Sequence, residues 1–116
     1  QTPIERFLEA MAASLDGPAA EGKNLKVNLV LTDIQESYVL WIENAVLHFK
    51  KEAPATDANA TLTLTKPLFI NIIAGTATVK DTLISDDLKI GGSKIDLVRF
   101  FSLIDKAPGT FAIVTP

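Results

Sequence analysis

The spacing of hydrophobic residues changes several times along this chain, and each change marks an element. Ile4, Phe7, Leu8, Met11 and Leu15 recur at the three-and-four spacing of an amphipathic helix. Thr2, Pro3 and Glu5 supply its start: a capping side chain, a proline where the missing N–H costs nothing, and the acidic half of a capping box. Gly17 and Pro18 are expected to end it. The period then drops to two. Val27, Leu29 and Leu31 alternate with Lys26, Asn28 and Thr32, which predicts a strand with one wet face. Residues 37–43 (SYVLWIE) are apolar on both faces and read as an interior strand covered on each side. Val46 to Lys50 form a third strand with Leu47 and Phe49 on one side. The short connections at 33–36 and at Asn44 make the three an antiparallel meander.

A polar loop, residues 52–59 (EAPATDAN), separates the meander from the cleanly alternating Thr61–Thr65. Pro67 near the start and Gly75 at the end of an isoleucine-rich run predict a helix from Leu68 rather than another strand. A short helix follows over Thr78–Leu83, then a short strand with Leu88 and Ile90, ending in Gly91 and Gly92. Ser93 and Asp96 offer a second capping box. Beyond it Leu97, Phe100, Phe101 and Ile104 form the stripe of a last helix, with Ile95, Val98 and Leu103 outside the stripe. Phe111–Val114 read as a terminal strand or a surface extension. Runs of strands followed by runs of helices predict an α+β domain, its helices gathered on one face of an antiparallel sheet.

The apolar content, 47% of 116 residues, is high enough for a packed core and fits one domain spanning 1–116. No run of about 18 apolar residues is present, so no membrane span is expected. A net charge of -3 with scattered Lys and Arg argues against nucleic acid as a partner. With no cysteine, disulfides, thiolate metal sites and thiol nucleophiles are all excluded. The chain opens at Gln1 and enters a helix signal within two residues, so it is expected to be a piece of a longer protein or a processed product. It holds no targeting segment that would assign a compartment.

Catalytic constellations are sparse. The one histidine, His48, is predicted to face away from Leu47 and Phe49, and a lone histidine makes neither a metal site nor a triad. Asp86 and Asp87 are neighbours in an extended segment and point apart, unlike an acid and base pair. Gly91 and Gly92 lack the rest of a phosphate-binding fingerprint. No catalytic residue, metal ligand or cofactor is therefore expected. What remains is an apolar surplus. Phe69, Ile72 and Ile73 from one helix and Phe100, Phe101 and Ile104 from the other, with Leu83 and Trp41, are the candidate lining of a cavity for an aliphatic small molecule or lipid. The rival reading makes the surplus an interface, either of a homodimer or for docking on another domain, with Val98 and Leu103 buried between chains.

The strand LKI followed by GGS and a helix, with TLTLTKPLF and IIAG before it, resembles the sterol carrier protein type two family. The fuller run from TPIERFLEAMAASLDG through LVLTDIQESYVLWIENAVLHF to KIDLVRFFSLID is similar to the C-terminal domain of bacterial alkylsulfatases, whose catalytic domain has the metallo-β-lactamase fold. This resemblance implies a sterol carrier protein-like α+β fold, an antiparallel five-stranded sheet backed by helices around an apolar tunnel. It also implies a non-catalytic domain that helps bring the aliphatic part of a sulfate ester to a zinc site on the parent's catalytic domain. The zinc-ligand histidines of those enzymes have no counterparts here, so neither metal nor hydrolysis carries over to this chain.

Overall fold

A computed structural model describes residues 3–74 and 88–104. In order, the elements are helix α1 (Pro3–Ala13), helix α2 (Gly17–Ala20), strands β1 (Leu25–Leu31), β2 (Glu36–Glu43), β3 (Val46–Lys51) and β4 (Ala60–Leu64), helix α3 (Lys66–Ala74), strand β5 (Lys89–Gly92) and helix α4 (Lys94–Ser102). The five strands form one sheet in the order β3-β2-β1-β4-β5. The predicted short helix at Thr78–Leu83, the aspartates 86 and 87, the terminal segment at Phe111–Val114 and the cap at Thr2 lie outside the described residues.

The meander is as the alternation predicts, with β1–β2 and β2–β3 both antiparallel. Its second turn has two residues, Asn44 (φ 54°) and Ala45 (φ 60°), both left-handed. That backbone matches the twist of a hairpin, and asparagine adopts it readily.

The sheet as a whole is mixed, not purely antiparallel. Strand β4 runs parallel to β1, with Val27 opposite Ala60 and Leu31 opposite Leu64, and β5 then pairs antiparallel to β4. The cause is the loop 52–59. After β3 at the sheet edge, the chain returns across one face of the sheet instead of turning back beside β3, so it enters β4 in the direction of β1. Asn28, in the middle of β1, holds the loop there. Its Nδ2 donates to the Ala55 carbonyl at 2.9 Å and to Thr61 Oγ1 at 3.0 Å, and its Oδ1 accepts from the Ala55 N–H at 2.8 Å. The residue expected on a wet face is 2% exposed.

All three longer helices lie on the other face, called inner here. Ile4, Leu8 and Met11 from α1, Phe69 from α3, and Leu97 and Phe100 from α4 share one core with Val27, Leu29, Leu31, Tyr38, Leu40, Ile42, Leu47, Leu62 and Leu64 from the strands. Leu103 and Ile104 also fold into this core. Leu103 is thereby committed within its own chain, contrary to the expectation that it would be buried between two copies.

Helix ends follow local chemistry, with one correction. Gly17 and Pro18 open helix α2 rather than close α1. Asp16 is its N-cap, accepting from the Ala19 N–H at 3.2 Å, and proline fits the first turn. Ser93 caps α4 through Oγ, which accepts from the Asp96 N–H at 3.1 Å. The return half of the predicted capping box is taken by another partner, since the Ser93 N–H donates to the Asn59 carbonyl at 2.9 Å. Gly92, just before it, has φ +77°, and a Cβ there would lie 2.6 Å from that same carbonyl oxygen. Only glycine combines that backbone angle with so close an approach.

Candidate functional site

The inner-face helices bring together part of the predicted cavity lining. Phe69 and Phe100 are fully buried and Ile104 is 1% exposed, all in one core. Phe101 is half-buried against that core, its ring edge-on to Phe100 with centroids 5.5 Å apart. Ile72 and Ile73 belong to the backbone of α3, but their side chains, like Leu83, lie outside the described residues. Helix α3 starts directly after β4, where Thr65 Oγ1 accepts from the Leu68 N–H at 3.4 Å and Asp33 accepts from the Lys66 N–H at 2.8 Å. Helix α4 starts directly after β5, the neighbour of β4. Because β4 and β5 are antiparallel, the two helices start from opposite ends of the sheet, and both lend side chains to the inner core.

Trp41 does not join them. On β2, Tyr38, Leu40 and Ile42 point to the inner core, so Val39 and Trp41 point to the outer face. The sheet itself stands between Trp41 and the phenylalanines. Its two sides were indistinguishable in the sequence because both are apolar.

On the outer face, loop 52–59 and the sheet enclose an open groove of about 530 Å³. Val39 and Trp41 contribute side chains to its lining, together with Lys26, Lys50, Glu43, Glu52 and Asp57. Lys26 Nζ meets Asp57 Oδ2 at 2.9 Å, and Lys50 Nζ lies 3.4 Å from Glu52. The hydrogen bond from Lys26, reinforced by its charge, holds the Asp57 carboxyl below its ordinary value. His48, on the outer face as predicted, stacks on Trp41 with ring centroids 5.2 Å apart and planes 17° from parallel. This groove escaped the sequence reading. Its one legible signal was asparagine at the centre of an apolar strand, a residue that rarely sits there without a backbone to hold.

Among the described residues no group of three or more His, Cys, Asp or Glu is gathered that could hold a metal ion, and no helix is long and apolar enough to cross a membrane.

A mixed sheet in this order, with helices on one face, can be compared with known proteins. A family model described as "Alkyl sulfatase C-terminal" matches residues 1–116, the whole chain. The chain belongs to the alkyl sulfatase C-terminal family. Its similarity to the linear primary-alkylsulfatase of Pseudomonas sp. is 35% identity over 113 residues, covering 97% of this chain and 17% of that protein. The solved inverting sec-alkylsulfatase Pisa1 from Pseudomonas sp. superposes with a TM-score of 0.83 at 28% identity, over 92% of this chain and 17% of that one. Palmitated sterol carrier protein SCP2L2 from Aedes aegypti gives a TM-score of 0.59 at 17% identity, over 87% of this chain and 89% of that one. At that identity the likeness is one of fold, and the fold is sterol carrier protein-like. The chain spans about a sixth of the length of the alkylsulfatases it matches.

Proposed function

We propose that this alkyl sulfatase C-terminal domain binds the aliphatic part of an amphiphile between the inner face of its sheet and helices α3 and α4, and presents it to a catalytic domain elsewhere in an alkylsulfatase. The observation that carries the reading is the shared inner core to which α3 gives Phe69 and α4 gives Phe100, with Ile104 just beyond α4 and Phe101 packed against it. Ile72, Ile73 and Leu83 complete the proposed lining. Trp41, across the sheet, is not part of it. The half-buried Phe101 is the point of entry in this reading, because it packs on the core while keeping some contact with solvent. Support comes also from the alkylsulfatase relatives and from a fold neighbour solved in palmitated form.

An alkyl chain suits such a place because it asks for burial and little else. Each methylene removed from water contributes about 0.8 kcal/mol, so a ten-carbon tail gains about 8 kcal/mol before ordering costs. That gross gain is itself worth about 1 μM, so micromolar affinity is the ceiling once those costs are taken. The test is titration with a fluorescent fatty acid, and with dodecyl sulfate well below its micelle concentration, while circular dichroism follows the fold. Saturable binding that weakens in Phe101→Ala is expected. No saturable binding by the folded protein overturns the reading.

A further inference from the structure

Helix α4 takes its place from the last residue of loop 52–59. Gly92 ends β5 opposite Ala60, and the chain leaves the sheet there through left-handed backbone pressed against the Asn59 carbonyl. That carbonyl accepts from the Ser93 N–H at 2.9 Å, and Asn59 Nδ2 donates to Asp96 Oδ2 at 3.3 Å. The two contacts stand three residues apart, one at the N-cap of α4 and one in its first turn. A single bond would let the helix roll about its axis. Two bonds separated along that axis by about 4.5 Å hold the roll as well as the position. Asn59 is itself clamped on β1, its N–H donating to the Lys26 carbonyl at 2.7 Å and its Oδ1 accepting from the Lys26 N–H at 2.9 Å. A carboxamide is needed at this place, because one end accepts from β1 while the other donates to α4.

From this we infer that Asn59, on the far side of α4 from any tail, is the positioning residue of the alkyl site: it sets the roll of α4 and with it how far Phe101 opens to solvent. The inference rests on the alkyl-binding reading above. Phe100 and Phe101 are neighbours on α4, about 100° apart around its axis, and the roll decides that the first is fully buried and the second half-buried. A roll of about 20° carries a side chain roughly 2 Å around the helix. A gap of about 1 Å already forfeits much of a packing contact, so a roll of that size changes what the two rings leave for a tail.

A polarity swap in the full 116-residue chain tests this. Asn59→Asp keeps the acceptor toward Lys26 and turns the other end into a carboxylate facing that of Asp96. Adding Asp96→Asn reverses the lost bond, with the donor now on the helix and the acceptor on the loop. In Asn59→Asp, while circular dichroism follows the fold, the amide resonances of residues 94–104 should move. Half-saturation by a fluorescent fatty acid at neutral pH should rise about fivefold or more. The double substitution should return those resonances toward their original positions and the half-saturation to within about twofold of the unaltered chain. The inference fails if the α4 resonances stay in place in Asn59→Asp, if they move without any change in tail binding, or if the double substitution does not restore both. Should Asn59→Asp alone not fold, the doubly substituted chain decides: folded and binding like the unaltered chain upholds the inference, and unfolded overturns it. Absence of binding by the folded, unaltered chain sinks the alkyl reading instead, and the α4 resonances then judge the placement of the helix by themselves.

Discussion

The two faces of this sheet are covered in opposite ways. The inner face is closed by side chains from three helices, and its cohesion is spread over some twenty apolar residues. The outer face is closed by a strap of eight residues, held at a few points by hydrogen bonds, and it leaves a charged groove beside Trp41. Val39, 3% exposed, is nevertheless nearly as withdrawn from water on the outer face as the residues of the inner core. Dispersed packing tolerates change at its margins and suffers when a large side chain is removed. Pinned cover depends on each pin. Asn59 joins the two systems: its N–H and Oδ1 pair with the Lys26 backbone, its carbonyl accepts from Ser93 at the start of α4, and its Nδ2 reaches Asp96.

Truncating the inner face should give the largest loss. Phe100→Ala removes a fully buried ring from the core, and chemical denaturation should record a destabilisation of about 3–5 kcal/mol. A loss below about 1 kcal/mol would mean that the inner face is not packed as described. The seam comes next. Gly92→Ala forces a side chain into left-handed backbone and against the Asn59 carbonyl, and should cost about 3 kcal/mol by the same measurement.

On the outer face, Asn28→Ala strands the Ala55 N–H beneath the strap. A loss of about 2 kcal/mol is expected, with faster amide exchange confined to residues 52–59. If exchange quickens equally in α4, the two faces are not the separate systems described here. Alkyl-chain titration should be unaffected by this change.

The smallest effect belongs to the exposed pair of Lys26 and Asp57. The Asp57 carboxyl is lowered in the folded chain, so its contribution is present above the ordinary Asp range near pH 4 and fades as pH falls through the lowered value. Thermal unfolding of Asp57→Asn should therefore differ slightly from that of the unaltered chain at neutral pH and converge with it as pH falls through the lowered Asp57 value. A gap that widened in acid would contradict the sign of this linkage.

Much of the architecture was legible along the chain because it follows from local periodicity. The hairpins, the helices at Lys66–Ala74 and Lys94–Ser102, and the cap at Ser93 are each specified by residues within a few positions of one another. The burial of Phe100 and Ile104, both proposed for the lining, was legible for the same reason, since they fall on one stripe of the sequence pattern. Three features were not. The parallel placement of β4, the burial of Asn28 and the separation of Trp41 from Phe69 all depend on which face the chain crosses after Lys51.

The residue pattern alone thus determined the elements and the greasy side of each helix, because backbone geometry imposes a period that side chains must obey. Tertiary structure decided which side of β2 would meet the helices, because SYVLWIE is apolar on both and alternation cannot choose between two equal faces. That choice was made by contacts between residues far apart in the chain, Asn28 with Ala55 and Val27 with Ala60, whose sequence separation leaves no periodic trace.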